Sequence, residues 1–318
     1  MPNPHSIAPV AGVAQEPQLA VVEALHSLSS VTLKRPLHQL RHCLRISITQ
    51  LELAMGKMVD QVRPASLRMF DQIPMIPYHH VRQIKIMAPY LAGQSVVFMG
   101  DSDGSSLLLG LLGAHLELQP KRMLLLDFDE RLLHVAHCFA ERHGFGHLLE
   151  TQLYNAFEAL PSDLISQFDW FYTNPPYGSH NQGASVRLFV TRGCELTRPN
   201  GQGCIILPHD RQRDWTRLAI LETQRFLTTH GWQVGDKVRE VHRYQLDDDR
   251  QLASSLMLVE HVADALTSPM PYASRQVSFA EIPLFYGRDV HPPYPRYIRT
   301  SGAIDHSWPS AKKETRCG

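Results

Sequence analysis

The chain has 318 residues, 43% of them hydrophobic, and 31 Lys and Arg offset 31 Asp and Glu for a formal net charge of zero. That balance excludes a chain held to nucleic acid by uniform phosphate neutralisation, and the apolar fraction can supply one large core or two ordinary ones. No apolar run reaches the ~18 residues needed to cross a bilayer.

Residues 1–18, rich in Pro and small side chains, are expected to form a disordered lead, with no cleaved leader. Residues 19–62 predict a small helical module. Apolar spacing marks helices over Leu19–Leu28, Leu37–Leu44 and Ile48–Val59, the last two separated by Arg45-Ile46-Ser47. Helix, short turn, helix suits a winged-helix-like unit, with a plain helical cap as the alternative. Lys34, Arg35, Arg41 and Arg45 give it a basic side that suits DNA or solvent. Pro64, Pro74 and Pro77 mark a linker carrying Phe70-Asp71-Gln72, and Val81–Leu91 reads as a helix.

From Ser95 short apolar strands alternate with helices, as expected for a parallel, doubly wound α/β sheet over residues 63–265. Strands are predicted at Val96–Met99, Met123–Leu126, Phe168–Thr173, Gly203–Leu207, from Trp232 onward and at Ser254–Glu260. Helices are predicted from Leu107, over Leu132–Arg142, over Leu188–Leu196 and over Leu218–His230. The Pro- and Tyr-rich extension, residues 266–318, is expected to wrap the domain as far as Arg299 and to be disordered beyond. Five scattered cysteines without Cys-x-x-Cys spacing point to a reducing, cytoplasmic setting. They offer no zinc site, and no metal role is expected for the 18 histidines.

Three polar clusters fall at the carboxyl ends of predicted strands, where such sheets bind ligands. Gly100-Asp101-Ser102-Asp103-Gly104 joins a strand to a helix; its glycines admit a nucleoside close to the backbone, or Asp103 or Ser102 simply caps the helix. Asp127, with Asp129 as a neighbour, ends the second strand and suits ribose hydroxyls. Asn174-Pro175-Pro176-Tyr177 closes the third. There the Asn174 side-chain oxygen and the Pro175 carbonyl can accept N–H groups of an amine while Tyr177 offers a ring face. The plainer alternative is a structural Pro-Pro turn. A nitrogen held this way is positioned for displacement at an adjacent carbon.

The clusters, in this order, resemble a class I S-adenosylmethionine-dependent transferase with a Rossmann-like fold that alkylates nitrogen. With Phe70-Asp71-Gln72, Asp127-Phe128-Asp129-Glu130-Arg131 and Leu188-Phe189-Val190-Thr191-Arg192-Gly193, they further resemble the branched-chain polyamine synthase family, over about residues 20–260. The resemblance implies aminopropyl transfer from decarboxylated S-adenosylmethionine to a polyamine nitrogen, and it implies the N-terminal winged-helix-like module. Two positions depart from the family pattern: Ser102 stands where the family loop has Asp, and Asn174 where its second motif has Asp. An aspartate there could take a proton from the attacking amine, whereas an asparagine cannot. Asn-Pro-Pro-Tyr also occurs in amino-methyltransferases.

The leading expectation is therefore an aminopropyltransferase-like enzyme, with Asn174, Pro175, Tyr177 and Asp101 in the chemistry and Gly100, Asp101, Asp103, Gly104, Asp127 and Asp129 around the donor. Asp101 and Asp103 would attract an ammonium and repel the carboxylate of ordinary S-adenosylmethionine; Asp127, Asp129, Asp169 and Asp247–Asp249 offer acidic walls. An S-adenosylmethionine-dependent N-methyltransferase on a nucleobase, protein amide or small amine is the second reading. A DNA-binding regulator with an inactive transferase fold is the third. Partners are expected to be a small amine, with nucleic acid at residues 19–62 less favoured, no membrane, and a homodimer conceivable.

Overall fold

The computed structural model describes residues 46–210, 212–247, 249, 251–262, 269–287 and 290–308. The expected lead, the first two helices of the N-terminal module and the lysine-containing end of the tail lie outside these residues.

Helix α1 (Gln50–Val62) opens on a capping box: the Thr49 hydroxyl accepts from the Glu52 amide, and the Glu52 carboxylate accepts from the Thr49 amide at 2.7 Å. Pro64 follows its C-cap. Pro77, expected in the linker, is instead the first residue of α2 (Pro77–Leu91), where its missing N–H costs nothing. Both helices pack against α3 (Ser105–Leu116), so the described part of the 19–62 module lies on the sheet-bearing body.

The central strands β1 (Ser95–Met99), β2 (Arg122–Asp127) and β4 (Phe168–Thr173) are almost wholly buried, as continuous apolar runs in a parallel sheet should be. Helix α4 (Glu130–Arg142) and a short strand β3 (Leu149–Leu153) lie between β2 and β4 in the chain. Next come α5 (Ala184–Leu196), β5 (Thr197–Pro208), α6 (Asp214–Thr229), β6 (Trp232–Arg243) and β7 (Ala253–His261). The sheet order is β3-β2-β1-β4-β5-β7-β6, with β7 antiparallel to both neighbours. The order reverses between β1 and β4, which opens a crevice above their carboxyl ends. Gly203 on β5 lets the fully buried Phe171 ring lie flat against the strand: a Cβ there would stand 2.1 Å from the ring.

The C-terminal extension is ordered further than expected. Residues to 308 are described, including the two-residue strands β8 (Tyr297–Ile298) and β9 (Ile304–Asp305) beyond Arg299. Met270, Val277, Ile282 and Phe285 join the same apolar cluster as Phe171 and Leu188. Two backbone bonds sew the extension to loops at the strand ends, Val277 N–H to the Phe157 carbonyl at 2.7 Å and Ile298 N–H to the Phe128 carbonyl at 3.0 Å. Arg192, fully buried on α5, reaches across to donate to the carbonyls of Ala156, Tyr272 and Arg275 at 2.7–3.0 Å, and pairs with Glu195 at 2.7 Å.

Candidate active site

Gly100, with φ +71, turns the chain out of β1 so that the following loop can face the crevice; a Cβ there would press on Phe189 at 3.2 Å. Gly104 also has a positive φ, +74, but its open side meets Val59 and Arg63 of the α1 end rather than the crevice. The loop between them caps α3. The Asp101 carboxylate accepts the Ser105 amide at 2.7 Å and the Ser106 amide at 2.8 Å. Capping is therefore real, and its residue is Asp101 rather than Ser102 or Asp103. With its water stripped away, the Asp101 carboxyl is pushed up to about 7, although both amides favour the ionised form.

One cavity of about 250 Å³ collects the strand ends. Gly100, Asp101 and Ser102 after β1, Asp127 and Phe128 at β2, and Asn174 and Pro176 after β4 line it together. Asp127 accepts the Asp101 and Asp129 amides, both at 2.9 Å, one on each oxygen. Burial pushes its carboxyl up to about 6. Each oxygen keeps a further lone pair for a hydroxyl.

Other expected residues stand behind this wall. Asp103 is spent on the Met75 amide at 3.0 Å and on the Asn174 side-chain amide at 2.5 Å, and desolvation raises its pKa. The Asn174 Nδ2 is thereby committed to Asp103, which leaves Oδ1 as the acceptor for the cavity. Asp129, with no exposed surface, holds Arg131 and Gln72. Tyr177 turns its hydroxyl to Tyr244, which bonds Ser254 at 2.7 Å, so this tyrosine ties the loop to β7 and to the residue that follows β6. Asp169 lies at the opposite end of β4, where it accepts the Ser95 amide at 2.8 Å, and Asp249 pairs with Arg213 through both oxygens. Neither supplies an acidic wall to the cavity.

Several lining residues were absent from the expected site. Phe70, Phe128, Phe157 and Tyr286 make an aromatic side, with Phe70 edge-on to Phe128 at 5.6 Å and Phe157 edge-on to Tyr286 at 5.6 Å. Asp71 and His180 stand at the rim. The Phe70-Asp71-Gln72 and Leu188-Phe189 motifs were signals for some of these; nothing local marks Tyr286, which arrives from the extension. The site thus has an aromatic side suited to a nucleobase and an acidic end suited to a cation.

The model of the branched-chain polyamine synthase A C-terminal domain matches residues 54–267. Over 191 residues the chain is 29% identical to the N(4)-bis(aminopropyl)spermidine synthase of Thermococcus kodakarensis, covering 59% of this chain and 51% of that protein. Over 185 residues it is 26% identical to the Thermus thermophilus protein of the same name, covering 58% and 50%. The chain spans about half the length of the curated relatives it matches. Among solved structures, the Thermus thermophilus branched-chain polyamine synthase in complex with N4-aminopropylspermidine and 5′-methylthioadenosine aligns at TM-score 0.58 and 21% identity, over 71% of this chain and 67% of that one. A putative RNA methyltransferase from Pyrococcus horikoshii aligns at TM-score 0.51 and 13% identity, over 68% of this chain and 100% of the other. These two likenesses establish the fold as the doubly wound, Rossmann-like class I methyltransferase type. By the match over residues 54–267, the chain belongs to the branched-chain polyamine synthase family.

Proposed function

We propose that this chain transfers an aminopropyl group from decarboxylated S-adenosylmethionine to a nitrogen of a linear polyamine. The observation that carries the reading is the occupancy of the α3 N-terminus. The Ser105 and Ser106 amides, which would otherwise attract a donor carboxylate, are already taken by Asp101. Asp101, Asp127 and Asp71 face the same cavity, where a donor ending in an ammonium is attracted and one carrying a carboxylate is repelled. The names of the two curated relatives, and the product complex of the solved one, support the same substrate class.

In this reading Asp127 receives the ribose hydroxyls and Phe128 and Phe157 flank the base. Gly100 admits the sulfur-bearing chain, and Asp101 faces its ammonium. Asn174 Oδ1 receives the acceptor N–H; Pro175, expected to share that role, is buried and does not line the cavity. Asp103, Gly104, Tyr177 and Asp129 act as supports for these groups. The scattered cysteines fit a cytoplasmic enzyme. Calorimetry with the two donors tests the reading: the decarboxylated form should bind more tightly, with methylthioadenosine released when spermidine is added. Tighter binding of S-adenosylmethionine, with methyl transfer, would replace it by the N-methyltransferase reading. That reading draws on Asn174, whose orientation by Asp103 would serve an amide or nucleobase nitrogen equally well.

A further inference from the structure

Alkylation of an amine nitrogen requires that its proton leave, and Asn174 cannot take it. Asp101 and Asp127 each already receive two backbone amides, which tie their carboxylates to the α3 N-terminus and to the loops after β1 and β2. Asp71 is different. It lines the same cavity, and no hydrogen-bond donor engages its carboxylate among the described residues.

The turn around Asp71 is built to present it. On one side Phe70 lies edge-on to Phe128 at 5.6 Å. On the other, buried Gln72 accepts the Leu67 amide at 2.9 Å and donates to Asp129 at 3.1 Å. The two flanking residues thus anchor the turn to the end of β2, and the residue between them is forced into the left-handed region at φ 56, ψ 24. A non-glycine residue held there is strained, and such strain gathers at functional positions. Among the described residues, the charged and titratable groups around Asp71 are Arg68 on its own turn, His180 and Tyr177 after β4, Asp101 and Asp127 at the strand ends, and Tyr286 of the extension. Desolvation holds its carboxyl above the usual carboxylate range, against the pull of His180 and Arg68.

We propose that Asp71 is the proton acceptor for the attacking nitrogen, taking the role that Asn174 cannot fill. This rests on the reading of the cavity as a nitrogen-alkylating site. As the nitrogen lone pair forms the new C–N bond, the C–S bond breaks and its electron pair returns to sulfur, leaving the neutral thioether. The amine proton passes to the Asp71 carboxylate and from there to solvent past His180, which is exposed on the rim.

The test is Asp71→Asn, since asparagine tolerates the left-handed conformation and keeps the turn. Donor binding by calorimetry should match wild type, while kcat falls by about 10²–10⁴-fold. The acidic limb of the kcat–pH profile should also disappear. A variant that keeps wild-type kcat, that loses rate but retains the limb, or that no longer binds the donor would overturn the assignment. The donor used by the wild type decides the aminopropyl reading separately, because a methyl donor demands the same proton transfer. A wild type that turns over neither donor overturns both.

Discussion

Replacing Arg192 by Met probes how the extension is held. The guanidinium is fully buried and spans three carbonyls and one carboxylate, two of those carbonyls belonging to residues 272 and 275. Met fills the space of the stem but leaves the Ala156 carbonyl and Glu195 without their donor. Glu195 keeps only its bond from the Ser274 amide. Removing one side of a buried ion pair costs about 3–5 kcal/mol. The three charge-assisted bonds to carbonyls would by themselves suggest about 4.5–9 kcal/mol if none could rehydrate. The Tyr272 and Arg275 carbonyls regain water once the extension lifts, so the lower range applies. At about 2–4 °C per kcal/mol, Arg192→Met should lower Tm by roughly 6–20 °C. Differential scanning fluorimetry measures the shift. Limited proteolysis should cut residues 269–287 faster in the variant, whereas Arg192→Lys, which lacks the planar fork, should fall between the two. A Tm within about 2 °C of wild type, with unchanged cleavage of the extension, would refute the reasoning.

Further outcomes follow from single contacts. Asp101 holds its proton up to about 7 in the folded chain against 3.8 unfolded, so its stabilising contribution is full below 3.8 and is lost as pH rises to about 7. Asp101→Asn has no such dependence, so the Tm advantage of wild type over the variant should shrink across that window; a constant difference refutes the shift. Asn174→Asp would set a second carboxylate at hydrogen-bond distance from Asp103, forcing the pair to share a proton. Its Tm deficit should be larger near pH 8 than near pH 6, and a deficit independent of pH counts against that pairing. Gly203→Ala drives a methyl into the Phe171 ring and should cost about 1–3 kcal/mol in urea unfolding; an unchanged midpoint would mean that the ring can move aside.

The sheet was readable wherever burial wrote a continuous apolar run. Phe168–Thr173 coincides with β4, and β1 and β2 each extend beyond their predicted runs by one or two residues. Strand β3 was missed because Leu149-Glu150-Thr151-Gln152-Leu153 is a short edge strand with mostly half-exposed side chains, and it has no continuous apolar run. Helices began earlier than their first leucines suggested, since capping residues such as Asp101 and Pro77 set the start. The strand-end clusters were correctly grouped into one crevice. Which of their members face it was not legible. Asp103 and Tyr177 differ from Asp101 and Asn174 only in their partners, Met75 and Tyr244, which are remote in sequence. The same remoteness hid Tyr286 and gave no role to Arg192.

The cavity wall built from Phe285 and Tyr286 has a consequence for synthesis. All seven strands of the sheet have been translated once His261 is reached, yet the wall emerges some twenty residues later. At a synthesis rate of ~5–20 residues per second, a nascent chain spends about one to five seconds with its sheet strands made but its cavity open on one side. During that interval Phe157 and Phe128 lack their cover, and the Arg192 side chain lacks two of its carbonyl partners. The cavity wall is thus completed only after every strand of the main sheet, and Arg192 gains its last two carbonyl partners, at residues 272 and 275, shortly before it.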